Sequence, residues 1–343
     1  MKAVFFEKHG GSEVLQYGDF HEPALSSTEV LVEVKAAALN HLDIWVRKGM
    51  PGVPIPLPHI PGSDASGIVL DPGPAKYLKK GMRVVISPGQ LLPHHPEFLE
   101  GRDSYSPEFK VMGLQTQGTY CEKVSVHPQF VVPVSDRYSF EEWAGVSLVG
   151  VTAYHMLVTR ANVRAGETVL VHAAGSGVGS IAIQLAKSLG AKVFTTVGSP
   201  EKAKTAKMLG ADEVIFYREK NFAEEIKKMT GGQGVDVVFE HIGPETWQKN
   251  LMCLARGGRM VTCGATSGPK AEVEIRFLFS KQLSILGSYM GSQKELKAAL
   301  ELFEKGVLKP VVDKVLPLSD ARLAHERMEA RLNTGKIILS VTR

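Results

Sequence analysis

Val169-Leu-Val-His-Ala-Ala-Gly-Ser-Gly-Val-Gly-Ser-Ile-Ala-Ile-Gln-Leu-Ala-Lys187 is the stretch that decides the fold. β-Branched and apolar residues from Val169 to Val171 give way to small ones, and a helix-period apolar pattern begins at Ile181. The order is strand, tight glycine turn, helix. Such a turn aims backbone N–H groups and the positive end of a helix dipole at a phosphate. Gly175, Gly177 and Gly179 are needed because side chains there would block the approach of backbone to a pyrophosphate. Ser176 and Val178 lie between them in the same cradle. The spacing departs slightly from G-x-G-x-x-G, but the flanking strand and helix are the context the motif requires. The stretch therefore reads as a dinucleotide site.

The following segments extend that unit. Lys192-Val-Phe-Thr-Thr-Val197 is a second strand, which an NAD site would end with Asp or Glu for the ribose 2′-hydroxyl. Here it ends at Gly198-Ser199-Pro200, with Lys202 and Lys204 just beyond, a hydroxyl and cations suited to a 2′-phosphate. NADP(H) is therefore expected in preference to NAD(H). Strands follow at Glu213–Tyr217, Val235–Phe239, Arg259–Cys263 and Leu283–Gly287, with helices at Phe222–Met229 and up to Leu254. This alternation gives an α/β fold with a parallel doubly wound sheet. Gly264, directly after the strand Arg259–Cys263, is a further expected cofactor neighbour.

Composition fits an enzyme of two domains. The chain has 343 residues, 44% hydrophobic and 22% charged, enough for a sizeable core and unlike a disordered or fibrous sequence. The net charge of +4 is scattered among acidic residues, which does not point to nucleic acid. No apolar run is long enough for a membrane span. The opening Met1-Lys-Ala-Val-Phe-Phe6 goes straight into a strand, so no signal peptide and a cytoplasmic location are expected. Cys121, Cys253 and Cys263 are isolated, as small core residues are in a reducing compartment.

The first 130 residues carry a different pattern. Strands recur at Ala3–Glu7, Val30–Val34, Gly67–Leu70, Arg83–Ile86, Thr119–Val126 and Phe130–Val134. Pro51, Pro54, Pro56, Pro58 and Pro61 forbid a regular element from Pro51 to Pro61. Ser139-Phe-Glu-Glu142 reads as a capping box that opens an apolar helix through Val158. Lys336–Val341 is a strand expected to return to the first domain, because the dinucleotide sheet is already complete. The expected domains are 1–134 with 292–343, and 135–291.

From end to end the chain resembles the medium-chain dehydrogenase/reductases, the superfamily of zinc alcohol dehydrogenases and zinc-free quinone reductases. The resemblance is carried by Met1-Lys-Ala-Val4, Ala38-Leu-Asn-His-Leu-Asp43, Pro61-Gly-Ser-Asp-Ala-Ser-Gly67, Gly118-Thr-Tyr-Cys-Glu122, Gly150-Val-Thr-Ala-Tyr154, the glycine turn and Gly335-Lys-Ile-Ile-Leu339. It implies a GroES-like β-rich catalytic domain beside a Rossmann domain. By motif, the catalytic zinc ligands fall on Asn40, Ser63 and Val151, which do not supply three N or S donors. The Gly-His-Glu position reads Gly62-Ser63-Asp64. Leu42 and Trp45 replace the hydroxyl and histidine of the polar relay, while the acid beside the zinc site persists as Asp43. In the lobe that holds a structural zinc in relatives, Leu92, His95, Phe98 and Ser106 stand at the four cysteine spacings, so no zinc is expected. Leu92 and Phe98 are expected to pack where thiolates bound metal.

Without a Lewis acid, oxidation of a simple alcohol lacks its means of stabilising an alkoxide. An electrophilic acceptor needs less help, because its developing charge is delocalised and can be met by hydrogen bonds. The resemblance therefore implies zinc-independent hydride transfer from NAD(P)H to a quinone or α,β-unsaturated carbonyl. The alternatives are alcohol dehydrogenase-type activity and a crystallin-like, non-enzymatic NADPH binder. Asn40, Asp43, Trp45, Ser63, Asp64 and Thr152 are the expected catalytic residues, with Met50 and His59 shaping an acceptor pocket. Thr152 is also expected beside the nicotinamide, and Tyr217 near the adenosine. The strand Leu283–Gly287 would lie at a sheet edge, which together with the resemblance implies a homodimer or homotetramer.

Overall fold

The computed structural model describes residues 1–341. They form two compact units, one comprising Met1–Gly150, Gly291–Lys305 and the chain from Pro310 onward, the other Val151–Met290 and Gly306–Lys309.

In the second unit six parallel strands lie in the order Glu213–Phe216, Lys192–Val197, Thr168–Val171, Val235–Glu240, Leu254–Thr262, Ser284–Gly287. In chain order this is 3-2-1-4-5-6, the doubly wound arrangement whose switch point lies between the first and fourth strands. Val169 pairs with Val193 on one side and Val237 on the other, so the glycine turn after Val171 emerges at that switch point. Leu170, Phe194, Val238 and Met260 from neighbouring strands, with Phe222, Ile226 and Leu251 from helices, form a core. That strands buried on both faces read as unbroken apolar runs is the reason this half is so legible.

The first unit holds a sheet in the order Val312–Pro317, Lys336–Ser340, Val30–Ala38, Asp64–Asp71, Arg83–Ile86, Val131–Pro133, with Lys123–Val126 also paired to Val30–Ala38. The returning strand is confirmed: Ile338 pairs with Ala38, Leu339 with Ala37 and Ser340 with Ala36. This places Lys336 close to the C-terminal end of the strand that leads into Asn40.

Two expected elements come out differently. The strand expected over Thr119–Val126 is regular only from Lys123 to Val126. Gly118, Thr119 and Tyr120 instead donate backbone N–H bonds to Ile60, Gly62 and Pro61 at 2.7, 3.0 and 3.1 Å, a detour onto the proline-rich loop. A Cβ at Gly118 would stand 2.3 Å from the Pro61 carbonyl oxygen, so only glycine permits this approach. The helix expected from Ser139 to Val158 starts at its capping box, Ser139 Oγ accepting from Glu142 N–H, but breaks at Gly145. It resumes as Ser147–Tyr154 and widens to a π-helix over His155–Arg160. A uniformly apolar sequence hides such breaks, because no change of period marks them.

Candidate functional site

The first unit gathers a buried polar ring. Asn40 lies two residues beyond the strand Val30–Ala38 and precedes the helix His41–Lys48 as its N-cap. Its Nδ2 donates to Asp64 Oδ2 at 2.9 Å, and its Oδ1 accepts from the Lys336 ammonium at 2.6 Å. Lys336 closes the ring by donating to Asp64 Oδ2 at 3.0 Å. The other oxygen of Asp64 accepts the backbone N–H of Leu148 at 2.8 Å, at the start of the helix Ser147–Tyr154. Asn40 is 6% exposed, Asp64 0% and Lys336 4%, so a cation and an anion are paired away from water. An ion pair survives such burial only with good geometry and further hydrogen bonds, and this one has both.

Asp43 belongs to an adjoining cluster. Its Oδ2 accepts from the backbone N–H of Asn40 and from the Tyr120 hydroxyl, both at 2.8 Å, so it caps the helix and anchors the tyrosine together. Its Oδ1 is buried without a hydrogen-bond partner. Burial pushes the Asp43 carboxyl up to about 6, against which the donors from Asn40 and Tyr120 act only in part. Burial likewise holds the Tyr120 hydroxyl well above its ordinary range, with the Asp43 charge adding to it. A folded-state value above the unfolded one stabilises the protein fully below the unfolded value, and that contribution is lost as pH rises through about 6. Asp43→Asn keeps an oxygen for both donors and removes the ionisation. It is expected to be at least as stable as the wild type at pH 7, by up to about 3 kcal/mol, with the advantage gone near pH 4. Urea denaturation at the two pH values measures this; a variant clearly less stable than the wild type at pH 7 would sink the account.

Other expected residues of this unit are placed as follows. Ser63 is buried and donates its hydroxyl to Met112 C=O at 2.7 Å. Trp45 is half-buried, edge-on to His41 with ring centroids 4.9 Å apart. His59 is fully buried against Phe6 and bonded through Nε2 to Gly113 C=O at 3.0 Å, so it is a core group and not a wall of an open pocket. Lys336 and Tyr120 were not among the expected site residues. The sequence carries a signal for Lys336 alone: a lysine that opens the largely apolar strand Lys336–Ser340.

The lobe over 92–106 also departs from expectation. Leu92 is exposed and so does not pack in place of a thiolate, and Phe98 is only half-buried. The buried Asp103 anchors the lobe by accepting the Gln293 backbone N–H at 2.9 Å, at the start of the helix Gln293–Glu304. His95 meets Glu108 at 3.4 Å.

In the second unit the helix Gly177–Ser188 starts within the glycine turn, and Ser176 Oγ accepts the Gly179 N–H at 2.9 Å. A Cβ at Gly179 would stand 2.4 Å from the Ala173 carbonyl oxygen, so the helix start rests directly on backbone. At Gly175 the space a Cβ would fill is taken by the Lys202 side chain, 2.7 Å away. At Gly198 it is taken by Tyr217, whose hydroxyl is 2.9 Å off. At Gly264 it would stand 2.9 Å from His241 C=O. Ser199 caps the next helix through Lys202 N–H at 3.4 Å. The helix start at Gly177–Gly179, with the Lys202 side chain over Gly175 and Tyr217 over Gly198, offers backbone N–H groups and a cation that fit a dinucleotide phosphate. Glu201, passed over in the sequence reading, puts a carboxylate beside Ser199; hydrogen bonds from its own backbone N–H and the Ser199 hydroxyl hold it below the usual carboxylate range. Thr152 and Val151 are buried on the helix Ser147–Tyr154.

Comparison with known proteins agrees with both units. Residues 26–136 match the alcohol dehydrogenase GroES-like domain, and residues 177–305 the zinc-binding dehydrogenase family. Quinone oxidoreductase 1 of Escherichia coli is 36% identical, with 98% of each chain covered. Crotonyl-CoA reductase of Streptomyces avermitilis is 32% identical over 93% of this chain and 80% of its own. A solved NAD-dependent alcohol dehydrogenase superposes with a TM-score of 0.95 at 41% identity, covering all of both chains.

The family's zinc does not suit the side chains present. A catalytic zinc takes three protein donors, usually thiolates, imidazoles or a carboxylate. Asn40 presents an oxygen already bonded to an ammonium, Ser63 a hydroxyl already bonded to Met112, and Asp64 a carboxylate whose oxygens take Leu148, Asn40 and Lys336. A lysine cation 3.0 Å from the carboxylate opposes a second cation there. Among the described residues no group of three or more His, Cys, Asp or Glu is placed to hold a metal. With its GroES-like and dinucleotide-binding parts matched along the chain, this protein belongs to the medium-chain dehydrogenase/reductase superfamily of nicotinamide-dependent oxidoreductases.

Proposed function

We propose that the protein transfers a hydride from NADPH to a quinone or α,β-unsaturated carbonyl without a catalytic metal. The observation that carries this reading is the Asn40–Asp64–Lys336 ring, in which Asn40, at one of the positions matched to a zinc ligand, is bonded to a lysine ammonium and its carboxylate partner. The names of the quinone oxidoreductase and crotonyl-CoA reductase relatives support the acceptor class. When bound, the cofactor supplies the hydride. In the protein, Gly175, Ser176, Gly177, Val178 and Gly179 hold the pyrophosphate on backbone N–H groups and the helix dipole. Lys202, Ser199, Gly198 and Tyr217 receive the adenosine end, with Lys202 as the cation for a 2′-phosphate. Gly264, which packs closely against the His241 backbone, lies on the cofactor's path. Thr152 borders the nicotinamide. Asn40, Ser63 and Trp45 line the acceptor side, and Asp43 and Asp64 hold Asn40 in place.

Among the described residues no helix is long and apolar enough to cross a membrane. We place the enzyme in the cytoplasm, as a homodimer or homotetramer built on the open edge of the strand Ser284–Gly287. No nucleic acid or membrane partner is proposed. The domain division proposed for function is 1–134 with 292–343 against 135–291.

A second reading, alcohol–aldehyde interconversion, is favoured by the 41% identical alcohol dehydrogenase structure, whose NAD dependence agrees with a carboxylate at Glu201. Chelator-treated protein assayed with NADPH or NADH plus a naphthoquinone or a conjugated enone separates the two. Undiminished NADPH oxidation at substoichiometric zinc is the expected result. Alcohol oxidation that requires one zinc per subunit would overturn the proposal.

A further inference from the structure

We propose that Thr196 and His172 are positioning residues that shape the phosphate turn from beneath; this rests on the cofactor reading above. His172 is the last residue before the turn, at the switch point of the parallel sheet, and Thr196 lies beside it on the neighbouring strand Lys192–Val197. Both are buried, 1% and 2% exposed. Between them stands Ala173, a non-glycine residue in left-handed backbone at φ +51°. That conformation costs an L-residue about 1–2 kcal/mol, so something must hold it. The Thr196 hydroxyl does so by accepting the Ala173 N–H at 3.1 Å.

His172 fixes the direction of that hydroxyl. Its Nε2 is 2.6 Å from Asn250 Oδ1, an acceptor, so Nε2 carries the proton and Nδ1 is bare. The Thr196 O–H then donates to Nδ1 at 3.1 Å, which leaves an oxygen lone pair for Ala173. The backbone of His172 is held too, its carbonyl accepting from His241 Nε2 at 3.1 Å. Burial lowers the basicity of His172 to about 4, so the imidazole stays neutral at pH 7. The carbonyl of Ala173 is the surface on which the helix start at Gly179 rests. A shift of Ala173 therefore displaces the N–H groups that face the phosphate.

The test is NADPH binding, followed by nicotinamide fluorescence, in Thr196→Val, Thr196→Ser and a control, Thr230→Val. The control removes a hydroxyl that likewise accepts a backbone N–H, from Gly234 at 2.8 Å, away from the turn. Thr196→Val is expected to raise the NADPH Kd about tenfold, as for loss of the bond to Ala173, the one of its two hydroxyl bonds that holds the turn. The kcat at saturating NADPH stays near that of the wild type, and Thr196→Ser restores the Kd. Thr230→Val lowers the urea midpoint and leaves the Kd alone. If Thr196→Val behaves like this control, with a lower midpoint and an unchanged Kd, the inference is overturned. Should Thr196→Val not fold, Thr196→Ala takes its place with the same expected Kd and the same overturning result. Wild-type protein that binds neither NADPH nor NADH removes the cofactor reading, and the inference with it.

Discussion

Gly179→Val is expected to weaken NADPH binding by up to about a hundredfold, the upper end of what overpacking of 1–3 kcal/mol at a rigid contact implies. The new Cβ would meet the Ala173 carbonyl oxygen at 2.4 Å and the Ser176 hydroxyl oxygen at 2.8 Å. The first of these is backbone in a turn already held in left-handed conformation, so it cannot swing aside as a flexible side chain would. The clash is relieved only if the helix Gly177–Ser188 lifts off the turn. That motion moves the Ser176 cap off Gly179 N–H and tilts the helix dipole away from the phosphate. Fluorescence titration with NADPH and a urea melt on the same sample measure the two consequences separately. Gly175→Ala provides the contrast. Its Cβ would meet the carbons of the long Lys202 side chain and not backbone, so a much smaller loss is expected. A Gly179→Val protein with wild-type affinity would show that the cradle is not where the pyrophosphate sits.

How far the sequence reveals this molecule depends on how local each feature is. The doubly wound sheet was legible because each strand between buried helices is a short apolar run, and the helix Phe222–Met229 has the bounds that its periodicity predicts. The capping box at Ser139 was legible for the same reason, since its partners are three residues apart. The break at Gly145 and the π-helix beyond it were not, because they lie inside a stretch with no polar face to set a phase. Asn40, Asp43 and Asp64 could be singled out from motifs, but not what they bind. Lys336 is 296 residues from Asn40 in sequence and reaches it only through the pairing of Ile338 with Ala38. Tyr120 is 77 residues from Asp43 and arrives there by the detour onto Pro61 and Gly62. Pairings of this kind belong to tertiary register, which a single sequence does not encode at any one position. Glu201 was a different kind of omission: it stands in the sequence beside Lys202, and a charge count of that turn would have included it.

The ring at Lys336 leads to the second large effect. Asp64→Leu is expected to destabilise the protein by about 3–5 kcal/mol, since it leaves a buried ammonium without its counter-charge. The Lys336 side chain is only 5% exposed, so water does not replace the lost carboxylate, and Asn40 Oδ1 alone cannot neutralise a full charge. Asp64→Leu also removes the acceptors of Leu148 N–H and of Asn40 Nδ2, which frees the amide to rotate. The double variant Asp64→Leu, Lys336→Met separates these contributions. If the charge dominates, the second substitution recovers most of the stability, because two apolar side chains of similar volume replace a desolvated ion pair. The activity should not recover with it, because Asn40 still lacks Asp64 and Lys336 and keeps only the long 3.5 Å bond from its Nδ2 to the Ala38 carbonyl. Urea midpoints of the wild type, both single variants and the double variant give the coupling energy, and kcat/KM for quinone reduction gives the orientation effect. A cycle with coupling near zero would mean that the ion pair does not act as a unit. Recovery of activity along with stability would assign the ring to the fold alone and remove Asn40 from the site.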